Sequence, residues 1–301
     1  LKNKIGPFQI FLIILVTLLW ASCFPLIELG HRAAPPLLFA AIRSFIAGSF
    51  LLIPLLIARH KDLFIVSVWK SSLYVAMTYT VLGLGGMFLA DGRVSTGIST
   101  VLANTQPIIT TVLAFFFLDE RMTKKNVLGL LCSFLGIALV ATNGKLAILE
   151  DKSYVGILFI LMGAFGTGAG NVLMKKLVSK VDPIVIVTIQ FLLGSFILYV
   201  LSYTFEGSFA VKWHPSFFWS LVILAIPGTA LATLIWLYLL KKIPLMKLSV
   251  FTFLTPAFGL IIGFMFFNEE YSTIDIIGII ITLLGIYLAT RPAKNCLGYA
   301  R

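Results

Sequence analysis

The sequence predicts an all-α integral membrane protein of ten transmembrane helices, arranged as two inverted five-helix repeats around a central cavity. Three observations lead there. Of the 301 residues, 59% are hydrophobic and only 12% are charged, far more apolar than a soluble globular domain. The apolar residues gather into ten continuous runs of spanning length, and the second half of the chain echoes the first at a near-constant offset.

A helix rises 1.5 Å per residue, so crossing a hydrocarbon core takes about 20 mainly apolar residues. Runs of that kind extend from Phe8 to Leu29, Pro36 to Ala58, Ser71 to Ala90, Val94 to Leu118 and Asn126 to Thr142. Five more extend from Val155 to Met174, Ile184 to Thr204, Ser216 to Leu239, Pro244 to Phe267 and Ile274 to Thr290. The fourth and fifth, and the eighth and ninth, are so close in sequence that each pair is expected to form a tight hairpin. A β-barrel is excluded, because its strands would alternate over about 10 residues. The first run is too long for a signal peptide and lacks a small-residue cleavage motif, so it is expected to stay in the mature protein. No soluble domain is expected before or after the spans.

The formal charge of +11 raises the question of a polyanionic partner, and its distribution answers it. With the first residues inside, most of the 23 lysines and arginines fall on the cytoplasmic side. Only Arg32, Arg93, Lys145, Lys152 and Lys212 fall outside, and Arg43 lies within a span. This asymmetry is the positive-inside rule at work. It predicts a multi-pass protein of the cell (inner or plasma) membrane with both termini cytoplasmic and no nucleic-acid partner. Cys23, Cys132 and Cys296 form no CxxC pair, and His31, His60 and His214 are far apart in sequence. The cysteines read as small apolar fillers, and neither a metal site nor a cofactor is expected.

An offset of 149 aligns Pro107 with Pro256, Glu120 with Glu269, Gly129 with Gly278 and Gly136 with Gly285. Upstream, an offset near 147 pairs Pro36 with Pro183 and Arg43 with Gln190. The predicted repeats are residues 8–143 and 154–291. Five spans per repeat is an odd number, so the second copy enters the membrane with the opposite orientation. Two similar inverted halves can exchange conformations, exposing a site at their interface to each side in turn. A duplicated channel or membrane enzyme is the alternative. The enzyme would need clustered acid, base or nucleophile groups, and the channel a ring of charge or a carbonyl filter; none is visible.

Several residues stand out as candidates for lining the cavity. Arg43 lies about 12 Å into its span at helical rise, where a charge must face a cavity or a partner. It either forks onto an anionic group of a substrate or satisfies carbonyls within the bundle. Its repeat mate Gln190 and the sixth-span Asn171 are further candidates. Pro107 and Pro256 are expected to kink their helices and to act in gating. Asn104, Thr105 and Gln106 before one proline, and Thr252 and Thr255 before the other, either line the cavity or bond the freed carbonyls. Trp20, Phe24, Tyr79, Trp236 and Tyr238 would supply its apolar walls, or else face lipid as interfacial aromatics. Gly166 and Gly170, in GxxxG spacing, permit tight packing or a hinge. Among the acidic residues, Asp119, Glu120, Glu269 and Glu270 fall at span ends and none at the midplane, so no proton or sodium relay is visible.

The first half carries "TGISTVLANTQPIITTVLAFFFLDERMTKKNVLGLLCSFLGIALV" and the second "ALATLIWLYLLKKIPLMKLSVFTFLTPAFGLIIGFMFFNEEYSTIDIIGIIITLLGIYLA". Together with "LLWASCFPLIE" in the first span and "FAAIRSFIAGSFLL" in the second, these resemble the EamA-type branch of the drug/metabolite transporter superfamily. The resemblance covers nearly the whole chain. It implies ten helices in two inverted repeats, a central cavity, and transport of small organic solutes, often export of amino acids or related metabolites. It also implies an arginine at position 43 across members of varied substrate preference, which favours a structural or gating role. The expected activity is secondary transport of a small metabolite by a monomer, without enzymatic chemistry. Carriage of a nucleoside, a drug-like cation or a phosphorylated metabolite is the alternative.

Overall fold

The computed structural model describes residues 5–23, 26–27, 33–90, 93–94, 96–142, 154–207, 210–267 and 272–290. Over these residues the chain forms ten helical segments and no strand. They are α1 (Pro7–Ala21), α2 (Pro36–Ile57), α3 (Val66–Ala90), α4 in two pieces (Thr96–Ala103 and Gln106–Phe117) and α5 (Lys124–Thr142). Then follow α6 (Tyr154–Leu177), α7 (Pro183–Phe205), α8 (Pro215–Lys242), α9 in three pieces (Leu245–Val250, Phe251–Phe253, Leu254–Phe267) and α10 (Thr273–Thr290). Except for α1, each is long and apolar enough to cross a membrane. Two boundaries move from the sequence expectation. The third helix starts five residues earlier, at Val66, and the run from Phe8 to Leu29 is described as α1 only to Ala21, with Phe24 outside the described residues.

Local chemistry sets the helix starts. Proline opens α1, α2, α7 and α8, where its missing N–H leaves nothing unsatisfied and its fixed φ suits the first turn. Three carboxylates take up the free N–H groups that follow. Asp182 accepts from Ile184 N at 3.0 Å within its own helix. Glu206, at the end of α7, accepts from Leu37 N and Leu38 N at 2.7 and 3.1 Å and so caps α2. Glu120, in the α4–α5 turn, accepts from Leu245 N and Met246 N at 2.7 and 2.8 Å and caps α9. At the opposite pole of a helix dipole, Lys175 Nζ donates to the carbonyls of Leu240 and Ile243 that end α8, where a cation is favoured.

Large apolar side chains such as Phe8, Phe116, Phe196 and Leu284 point outward, while glycine, serine and threonine fill the helix contacts. In lipid, apolar side chains gain nothing by leaving the solvent, so association depends on close packing. The contact between α5 and α10 is the clearest case. Gly129 sits on the backbone of Gly285 and Ala289, and Gly136 on that of Gly278 and Thr282, so the two helices run antiparallel. Ser133 Oγ donates to Thr282 O at 3.2 Å across this contact.

Helix pairs recur at equivalent places in the two halves. α2 packs on α7 and α5 on α10; α3 on α6 has its counterpart in α8 on α1, and α4 on α6 in α9 on α1. A β-carbon at position 278 would lie 2.7 Å from Gly136 O, a backbone overlap that forces the helices apart. Gly278→Val is therefore expected to lower stability by about 2 kcal/mol or more, whereas Gly259→Ala, with nothing within 4 Å of its new methyl, should be neutral; thermal unfolding of both in detergent checks the contrast.

Candidate functional site

The midsections of α3 and α8 are not α-helical: residues Ala76–Gly85 and Ile226–Leu231 form π-helical turns. Such turns release carbonyls from the usual ladder and are frequent at functional sites. In α8 the local cause is Pro227, which has no N–H to donate, followed by Gly228. Thr229 repairs the damage, its hydroxyl donating to Leu224 O at 2.7 Å.

That same hydroxyl receives Arg43, the one buried charged side chain among the described residues. Arg43 Nε donates to Thr229 Oγ1 at 2.6 Å, and Nη2 lies 3.8 Å from Cys23 Sγ. Its guanidinium carbon stands 5.9 Å from the centre of the Phe88 ring, a cation–π distance. Arg43 is only 5% exposed. Of the two readings of this arginine, the geometry holds the side chain inside the bundle, where it joins α2 to α1, α3 and α8. Cys23 is thus more than a small filler: its sulfur faces the arginine, and a β-carbon at Gly228 would strike it at 2.5 Å.

Beside this cluster lies an aromatic one. Trp236 is fully buried, and its Nε1 donates to Asn171 Oδ1 at 2.7 Å. The Trp20 ring packs 5.1 Å from it, centre to centre, at 56°. Tyr79, in the π turn of α3, packs on Gly170 of α6. The structure therefore brings Trp20, Tyr79, Asn171 and Trp236 into one buried core, while Tyr238 points toward the surface, 40% exposed. Gly166 likewise touches α3, at Leu82 and Thr78.

Gln190 lies on α7, one turn before Gly194, whose β-carbon would sit 2.5 Å from Thr80. Its side chain is 0% exposed, and neither Oε1 nor Nε2 has a hydrogen-bond partner; Thr80 Oγ1 and Thr255 Oγ1 share that condition. Arg43 has partners for Nε and Nη2, and Gln190, 147 residues later, has none for its amide.

The helices carrying Pro107 and Pro256 are interrupted just ahead of each proline, at Asn104–Thr105 in α4 and Phe251–Phe253 in α9. Asn104 Nδ2 donates to Thr100 O at 2.8 Å, Thr105 Oγ1 to Leu102 O at 2.6 Å, and Thr252 Oγ1 to Ser249 O at 2.6 Å. Gln106 Nε2 reaches Thr110 Oγ1 at 3.1 Å. These polar groups thus serve their own helix first. The hydroxyls of Thr111 and Ser249, 3.2 Å apart, join the two broken helices.

Sequence reasoning missed Thr229, Thr80, Phe88 and both π turns. One signal was available: Thr80 and Thr229 are 149 residues apart, the offset of the two prolines.

A bundle of apolar helices of membrane-spanning length defines the class as a multi-pass membrane protein. The model of the EamA-like transporter family matches it twice, at residues 7–142 and 154–291, and the chain belongs to that family: it is a membrane transporter. It is 30% identical over 283 residues to the uncharacterized transporter YoaV of Bacillus subtilis, covering 92% of this chain and 95% of the relative. With YvbV of the same organism it shares 28% over 283 residues, 94% of this chain and 92% of that one. A crystal structure superposes with a TM-score of 0.80 at 19% identity, over 94% of this chain and 96% of the other, a likeness of fold.

Removing the Thr229 hydroxyl takes away the hydrogen bonds it makes with Arg43 Nε and Leu224 O, at a cost of about 2–3 kcal/mol. Removing the unpartnered Thr80 hydroxyl costs no bond. Thr229→Val is therefore expected to lower the melting temperature in detergent while Thr80→Val leaves it unchanged or raised.

Proposed function

We propose that this transporter is a secondary carrier that moves a small organic metabolite, an amino acid or related compound, outward across the cell membrane by alternating access. Residues 8–143 and 154–291 act as inverted repeats, with both termini cytoplasmic, and the carrier works as a monomer in the bilayer. Pro107 and Pro256, with Gly166 and Gly170, provide the hinges. The bonded cavity wall comprises Trp20, Tyr79, Asn171 and Trp236, with Phe24 at the end of the first span. The polar residues at the two breaks, Asn104, Gln106, Thr252 and Thr255, complete the lining.

One observation carries the reading: the unequal state of Arg43 and Gln190. The Arg43 corner, with Thr229 and Cys23, is closed by hydrogen bonds. The equivalent corner, with Gln190 and Thr80, is buried without them. Each unpaired buried group costs about 1–3 kcal/mol, so the molecule is poised to relieve it in a second conformation. In a carrier with exchangeable halves, that second conformation admits solute to Gln190, whose amide offers both a donor and an acceptor. An amino acid's carboxylate and ammonium groups match that pair. Arg43, already engaged, holds the bundle and does not select for anions.

Replacing the amide by an apolar side chain of similar size removes the penalty and the recognition together. Gln190→Leu is expected to raise the melting temperature while reducing uptake of the transported amino acid into proteoliposomes at least tenfold. Wild-type flux should saturate and show trans-stimulation. Flux without trans-stimulation would overturn the carrier, and a panel of amino acids that fails to stabilise the purified protein would overturn the substrate class.

A further inference from the structure

At the end of the bundle where α1 begins and α8 ends, two cavities run into one another. One, about 340 Å³, is lined by Phe8, Leu12, Leu234, Ile235 and Tyr238 and is almost wholly apolar. The other, about 440 Å³, shares Leu234 and Tyr238 and adds Asp182, Pro183, Ile184, Lys241 and Lys242. Leu234 and Lys242 are eight residues apart on α8, so the combined groove runs about 12 Å along the helix. It opens outward from the bundle, with Phe8 62% exposed, and turns from apolar to basic as it nears the membrane surface.

We infer that this groove is a binding site for an anionic phospholipid, with one acyl chain along Leu12, Leu234 and Ile235 and the headgroup phosphate between Lys241 and Lys242. Charge complementarity supports it. Lys241 and Lys242 have no ion-pair partner among the described residues, and both are exposed. Lys175, which ends up nearby, is committed to the carbonyls of Leu240 and Ile243. The one carboxylate in the lining, Asp182, is turned to its own helix start at Ile184 N and lies 3.7 Å from His60 Nε2. A free phosphate would use only the basic end; the continuous apolar floor fits a lipid. Basic pockets of this kind, at the interface between spans, hold lipid headgroups. The site lies outside the buried core described above and does not depend on the proposed substrate.

Nanodiscs of phosphatidylcholine with a trace of spin-labelled phosphatidylglycerol test it, read as the preference of the labelled lipid for the protein over the bulk bilayer. At about fivefold per lysine near the surface, wild type should prefer the anionic lipid by about thirtyfold, and the pair Lys241→Ala with Lys242→Ala should lose nearly all of that. Lys124→Ala with Lys125→Ala, at the start of α5 and away from the groove, should keep it. Leu234→Trp, which fills the apolar floor and leaves both charges, should also lose it, with folding of every variant checked by its melting curve. An unchanged preference in the Lys241 and Lys242 pair, an equal loss in the Lys124 and Lys125 pair, or full competition by inorganic phosphate would each overturn the site.

Discussion

Within a bilayer no water is present to satisfy a backbone N–H or C=O, so every departure from the helical ladder must be repaired by the protein itself. The structure is organised around four such departures: the π turns of α3 and α8 and the breaks in α4 and α9. Short polar side chains add hydrogen bonds at each of them. Thr78 donates to Tyr74 O, Thr229 to Leu224 O, Asn104 to Thr100 O and Thr252 to Ser249 O. These helices are the third and fourth of each half. The uninterrupted helices do a different job, and α5 and α10, locked through Gly129, Gly136, Gly278 and Gly285, have little freedom to slide. Irregular backbone is concentrated in α3, α4, α8 and α9, and regular backbone in pairs such as α5 and α10 that hold together along their length.

The spans were legible because lipid imposes a simple demand, about 20 apolar residues, and composition answers it directly. The breaks in α4 and α9 were legible as well, since proline acts on its own helix. The π turn of α3 was not. It contains no proline, and nothing in "AMTYTVLGLG" distinguishes a widened turn from glycine-rich packing until Gly163, Gly166 and Gly170 of α6 press against it. Arg43 was visible as a buried charge, but its partners come from three other helices. Cys23, Thr229 and Phe88 carry no mark of that role alone. Likewise, Glu120 read as a turn residue, because its work is done on a helix that begins 125 residues later.

The two stretches that the family model matches hold corresponding positions but not equivalent chemistry. Arg43, Cys23 and Thr229 on one side stand against Gln190, Asn171 and Thr80 on the other. A guanidinium cannot be deprotonated, so its corner must be satisfied at all times. A neutral amide can be left unpaired at a cost of about 1–3 kcal/mol per group, which thermal motion and a ligand can supply. The charged corner therefore suits permanent closure, and the neutral one suits a place that opens. Under the proposed exchange of conformations, the divergence would fix which side of the molecule recognises solute.

The carboxylate caps constrain how such an exchange can proceed. Glu206 carries the end of α7 to the start of α2, helices that already pack along their length, so this pair moves most cheaply as one body. Glu120 carries the α4–α5 turn to the start of α9, and Lys175 holds the end of α8 beside it. Charge-assisted hydrogen bonds of this kind are stronger than neutral ones, and several at one end of the bundle resist opening there. The midsections of α3, α4 and α9 carry neutral hydrogen bonds such as those of Thr78, Asn104 and Thr252, whereas that of α8 is tied to the Arg43 guanidinium through Thr229. Under the proposed exchange of conformations, a motion that keeps the caps and bends α3, α4 and α9 at their irregular segments gives up the least energy, so those segments, and not the helix ends, would be the places where a central site changes its exposure.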